Sequence, residues 1–197
     1  MNKFVNALAV VLFSMFAFAS VHAQTAESPA QSDFTVGENW QWEQFDSLTK
    51  VLEQKLELTV FDDQGTLKFK RQDGRPADLQ EIYSGIREGV KKPRVVWPIS
   101  VGKTWVFEED FARELDGRRG NISQNAKVTS YEEVTVPAGK FMAFKIEYEG
   151  FYRMFDSNAT GGRKEVVWFS PEAKAIVKFE TDSGRFKWVR VLVSYKK

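Results

Sequence analysis

The chain has 197 residues, 43% hydrophobic, 14% aromatic and 28% charged, with 13 Gly, 6 Pro and no Cys. That composition is ordinary for a folded globular chain and excludes collagen-like, low-complexity and multi-span membrane classes. With 28 basic against 27 acidic residues, no net field favours nucleic acid as a partner, and without cysteine no disulfide, thiol nucleophile or Cys-ligated metal can form.

Lys3 and the apolar run from Phe4 to Ala19, broken only by Asn6 and Ser14, precede Val21-His22-Ala23. A positive start, an apolar stretch and small residues at −3 and −1 make a secretory signal peptide over residues 1–23, cut before Gln24. Ala17-Phe18-Ala19 offers a second cut. The run is shorter than the roughly 20 residues a spanning helix needs, so the membrane enters only through export, and the protein is expected in a periplasm or outside the cell. No cysteine follows to carry a lipid. Cleavage removes Lys3 and the only histidine, His22, so the mature chain balances its charges and has neither His nor Cys. Ser–His and Cys–His catalysis and imidazole-bound metals are excluded with them.

Residues 24–35, rich in Ala, Ser, Gln and Pro, read as a flexible lead-in. From there to residue 197 the prevailing period is two. Leu56, Leu58 and Val60 alternate with polar residues, Asp62-Asp63-Gln64-Gly65 turns, and Leu67 and Phe69 continue the pattern. Val134 and Val136 lead into Pro137-Ala138-Gly139, where glycine supplies a positive φ. Met142, Phe144, Ile146 and Tyr148 then share one face. Val166 and Trp168, Val177 and Phe179, and Arg185 to Tyr195 complete the strands. Leu79, Ile82 and Ile86, between Pro76 and Gly89, allow at most one short helix near 78–87. The expectation is a mainly β domain, a curved antiparallel meander closing as a sandwich or partial barrel.

Val36-Gly37-Glu38-Asn39-Trp40 is echoed sixty-five positions on by Val101-Gly102-Lys103-Thr104-Trp105. It reads either as two related halves, 36–93 and 94–197, or as two strands that start alike. The second half, about residues 95–182, resembles a group of secreted bacterial proteins of unknown function. It shares their Val-Gly-Lys-Thr-Trp strand start (101–105), Val136-Pro137-Ala138-Gly139-Lys140-Phe141 hairpin, Trp168-Phe169-Ser170-Pro171 turn and Val177-Lys178. The resemblance implies an all-β domain outside the cytoplasm and transfers no catalytic residue.

Short motifs carry little chemistry. Gly102-Lys103-Thr104 lacks the upstream glycine of a phosphate loop, since Trp97 stands there, and Ser47-Leu48-Thr49-Lys50 lacks the partner motifs of a penicillin-binding protein. Asp156, Asn158 and Thr160 space oxygen ligands as a Ca²⁺ loop does, yet Val167 replaces the closing glutamate, and a polar hairpin loop uses the same residues. No other metal and no cofactor is indicated. Glu108-Glu109-Asp110, Asp62-Asp63 and Glu132-Glu133 are the remaining acid–base candidates, but strand neighbours point to opposite faces, so no adjacent pair can flank one substrate. Lys91-Lys92-Pro93-Arg94 reads as a solvated basic loop.

The tryptophans carry the last signal, with core packing the plainer account of any one ring. Trp40 and Trp42 lie on one face of a polar strand and, with Trp105, are the candidate ligand-binding residues. The sequence therefore points to an exported, non-enzymatic binding or envelope-associated module for an apolar or amphipathic small molecule or a glycan. A carboxylate-dependent polysaccharide hydrolase and a module pairing through a sheet edge are the alternatives.

Overall fold

The computed structural model describes residues 24–78, 90–112, 117–184 and 186–197. The signal peptide expected over residues 1–23 and almost all of the helix expected near 78–87 lie outside these residues. Thirteen strands follow one another: β1 (Thr25–Ala26), β2 (Asn39–Asp46), β3 (Leu52–Asp63), β4 (Thr66–Arg71), β5 (Pro76–Ala77), β6 (Val90–Lys92), β7 (Ile99–Ser100), β8 (Thr104–Ala112), β9 (Arg119–Val136), β10 (Gly139–Met154), β11 (Thr160–Ser170), β12 (Ala175–Asp182) and β13 (Lys187–Lys196). A 3-10 turn at Gln31–Asp33 precedes β2.

Eleven strands form one antiparallel sheet in the order β5-β4-β3-β2-β13-β12-β11-β10-β9-β8-β6, and β1 pairs with β7 in a separate ribbon. The last strand thus joins two meanders, β2 to β5 and β8 to β12. The sheet is a curved antiparallel meander, as the alternating pattern implied. Among the described residues its end strands β5 and β6 do not pair, so it does not close into a barrel. β9 and β10, 18 and 16 residues long, are its longest members, and the tip of their hairpin folds back so that Ala138 N–H donates to Leu192 O at 3.1 Å.

Burial switches faces along β10. Ala143 and Phe144 are neighbours, point to opposite sides and are both fully buried. Ala143 belongs to a first core built on Trp40, Trp42, Leu58, Val60, Phe69 and the hairpin tip at Val136 and Phe141. Phe144 belongs to a second core with Phe107, Ile122, Ile146, Tyr148, Val167, Phe169 and Phe179. The central strands are therefore covered on both faces, while the outer strands have one wet face. Met142 shares the side of Phe144, yet it is 41% exposed because the second core ends before the hairpin tip.

The repeated Val-Gly segments adopt one backbone arrangement. Gly37 and Gly102 both have φ +89°. Gly37 N–H donates to Val60 O and Val60 N–H to Glu38 O, each at 2.9 Å, and Gly102, Val128 and Lys103 repeat both bonds at 2.9 Å. The side chains diverge, since Glu38 is buried and the Lys103 ammonium reaches Pro98 O near the surface.

Candidate functional site

After β6 the chain leaves the sheet edge and lies over the second core. Arg94 O accepts from Trp105 Nε1 at 3.0 Å and from the Tyr148 hydroxyl at 2.7 Å, which fixes the segment on β8 and β10. Its side chain turns inward. The solvated basic loop expected at 91–94 is thus corrected at Arg94, which is only 4% exposed. The guanidinium lies 4.3 Å from the Phe107 ring centre, 5.1 Å from Phe179 and 5.2 Å from Tyr148, a cage of aromatic faces.

What brings Arg94 inside is Glu165 on β11, fully buried. Arg94 Nη1 donates to Glu165 Oε2 at 2.7 Å, and Arg163 Nε donates to Oε1 at 2.8 Å. Burial would push the Glu165 carboxyl up, but Arg94 and then Arg163 outweigh it and hold it below the usual carboxylate range. A charge this deep is tolerated only when paired and hydrogen-bonded.

Directly opposed residues of an antiparallel pair share a face. Trp105, Ala126, Tyr148, Glu165 and Thr181 form one such row across β8 to β12. Phe107, Gln124, Gly150 and Arg163 form the next, and Glu109, Ile122, Tyr152 and Gly161 the one beyond. Gly150 is required in the middle row, because a Cβ there would stand 2.1 Å from Ser123 O. Gln124 crosses it to donate from Nε2 to Arg163 O at 3.3 Å.

Several polar groups here have no partner among the described residues. Glu109 is 8% exposed and its carboxyl makes no hydrogen bond or ion pair. Burial pushes it up to about 7, with Arg94 pulling the other way and Glu165 adding to the rise. Gln124 Oε1, Arg94 Nε and Thr181 Oγ1 are likewise buried and unpartnered. Those three atoms are closed to solvent, so the group the arrangement leaves for a ligand is the raised Glu109 carboxyl. The arrangement does not offer two reachable carboxylates, since Glu165 is saturated by arginine and fully buried.

Of the three tryptophans named as candidate ligand-binding residues, only Trp105 stands here, half-buried, its ring edge-on to Tyr148 at 6.2 Å. Trp40 and Trp42 lie in the first core, fully buried and 6% exposed. Their indole N–H groups donate to Ala173 O at 2.8 Å and Ile176 O at 2.7 Å, so neither ring face is offered to solvent. In the β10–β11 turn, Asn158 Oδ1 accepts from Arg153 at 2.7 Å and Asp156 lies 3.4 Å from Arg118, so guanidiniums occupy two of the three oxygens proposed for Ca²⁺. Among the described residues no group of three or more potential metal ligands converges. Glu108 and Glu109 do separate as neighbours in a strand must: Glu108 meets Lys92 at 3.3 Å while Glu109 turns inside. Alternation foretold that split without saying which residue would point inward.

No family model matches the sequence, and no curated protein matches it. Two solved structures share the fold. A proposed lipoprotein from Parabacteroides distasonis is 16% identical, with a TM-score of 0.54 over 87% of this chain and 99% of that one. A proposed exported protein with a YmcC-like fold from Bacteroides fragilis is 15% identical, with a TM-score of 0.52 over 83% and 97%. At such identities the likeness carries the fold alone, an open, curved β-sheet of YmcC-like type.

Proposed function

We propose that this chain is an exported, non-enzymatic β module that binds a small amphipathic molecule or glycan at the Glu109 end of its second core. Export is supported by the leader at residues 1–23, and fold neighbours described as an exported protein and a lipoprotein point the same way. The observation that carries binding is Glu109, nine-tenths buried and without a hydrogen-bond or ion-pair partner among the described residues. A buried polar group left unpaired costs about 1–3 kcal/mol, and a ligand that supplies the missing partners recovers that cost. Two-carboxylate hydrolysis is disfavoured, because both groups must reach the sugar and Glu165 reaches only arginine.

The test is thermal unfolding and tryptophan fluorescence of the mature protein against envelope lipid extract and glycan fragments. A ligand that binds the folded state raises the melting temperature with concentration. Glu109→Met should abolish that rise without unfolding the domain. A panel that leaves wild-type melting and fluorescence unchanged overturns the reading, and so does turnover of a glycan.

A further inference from the structure

The row of Glu109 and the row beyond it each contain an aromatic ring laid over a glycine. A Cβ on Gly120 would stand 2.7 Å from the Phe111 ring, and one on Gly161 would stand 2.6 Å from the Tyr152 ring. The pairing Phe111↔Gly120 and Tyr152↔Gly161 is direct across the strands. Both rings are half-buried, so each covers a glycine and keeps part of its surface toward solvent. They lie on the face of Glu109, Phe111 two residues along β8 and Tyr152 across from it beyond Ile122.

We propose that the group bound here is a neutral sugar ring, its C–H face against Phe111 and Tyr152 and its hydroxyls donating to the Glu109 carboxyl. The assignment rests on the binding reading above and narrows it to one ligand class. The reachable atoms decide it. The Glu109 carboxyl accepts hydrogen bonds, whereas Arg163 gives Nε and Nη2 to Glu165, and Arg94 gives Nη1 to Glu165 and keeps its Nε–H buried behind the aromatic rings. An anionic headgroup finds no free guanidinium fork and meets two carboxyl groups. An alkyl chain covers the rings but leaves the Glu109 carboxyl unpaired, which is costly where it is buried. A sugar presents an apolar face and hydroxyl donors together, matching both features of the site.

The experiment is saturation-transfer NMR and calorimetry on the mature protein with three probes: neutral hexose and N-acetylhexosamine oligomers, a sulfated oligosaccharide, and decanoic acid. A neutral oligomer should bind, and Tyr152→Leu, Phe111→Leu and Glu109→Met should each weaken it by about tenfold, the loss of roughly one contact. Glu109→Met replaces an unpaired buried carboxyl with an apolar side chain of similar length and so should keep the fold, which separates lost binding from lost structure. Neutral-sugar binding that survives all three substitutions overturns the placement. Binding of decanoic acid or the sulfated sugar, abolished by Glu109→Met with no neutral sugar bound, overturns the ligand class while the binding module stands. No binding of any probe overturns both.

Discussion

The Lys174 ammonium lies 2.7 Å from each carboxylate oxygen of Glu38, 136 residues away in the chain. Glu38 is fully buried and also accepts from the Tyr195 hydroxyl at 2.8 Å and Thr35 N–H at 3.2 Å. One carboxylate therefore ties the entry to β2, the β11–β12 turn and the last strand. Breaking a buried pair from one side costs about 3–5 kcal/mol, because the other charge is stranded. Lys174→Met should lose that much in urea unfolding, and Glu38→Gln combined with Lys174→Met should lose less. If the double variant is as unstable as the single, the pair is not the source of the loss.

Glu109 should make stability depend on pH in the direction opposite to most carboxylates. Its folded pKa is raised from 4.5 to about 7, so the neutral form favours folding. That contribution is whole below 4.5 and is lost as pH rises through about 7. The charged groups acting on it are Arg94, Glu165 and Arg163; Glu165 is held low and titrates below this window. The difference across the window is on the order of 3 kcal/mol. Urea unfolding at pH 5 and pH 8 should show wild type losing stability relative to Glu109→Gln at the higher pH. Parallel profiles for the two proteins would remove Glu109 as the cause.

Gly139 opens β10 at φ +135°, with nothing nearer than Phe141 at 3.9 Å from an added Cβ. Space is therefore not the obstacle; backbone conformation is. Gly139→Val should cost about 1–3 kcal/mol through strain at a positive φ, read as a lower melting temperature. The hairpin tip carries the Ala138 contact to Leu192, so the loss should also loosen the first core. An unchanged melting temperature contradicts the turn.

The strands were legible because one wet face leaves a period-two record, as at Leu56, Leu58 and Val60. The two-faced burial of β10 was not, because Ala143 is small enough to read as a solvent-side residue while it packs in the first core. The candidate site was hidden for a different reason. Arg94 sits in a run of four residues that looks solvated, and its partner Glu165 is 71 positions away; only the fold brings them together. Glu109 was visible as a carboxylate on a strand, yet its lack of a partner is a property of the packed cluster. Tryptophan number indicated aromatic surfaces to be covered, and the structure covers Trp40 and Trp42 with the protein itself.

That placement leads to a prediction in which the three tryptophans part company. Trp40 packs edge-on to Phe34 at 5.8 Å and stacks on Tyr195 at 5.8 Å, and its N–H is spent on Ala173 O. Trp42 spends its own on Ile176 O. Trp40→Ala and Trp42→Ala leave a large cavity and strand a buried carbonyl, so each should cost about 3–5 kcal/mol, comparable with Phe144→Ala. Trp105 differs. It is half-buried, and Arg94 O keeps the Tyr148 hydroxyl when the indole is gone. Trp105→Ala should therefore cost less than either, and its effect should concentrate on the segment around Arg94. Hydrogen exchange tests this directly: amides of residues 94–97 should lose protection in Trp105→Ala, while those of β2 and β13 keep it. If Trp40→Ala unfolds no more readily than Trp105→Ala, the first ring is not the core element its burial describes.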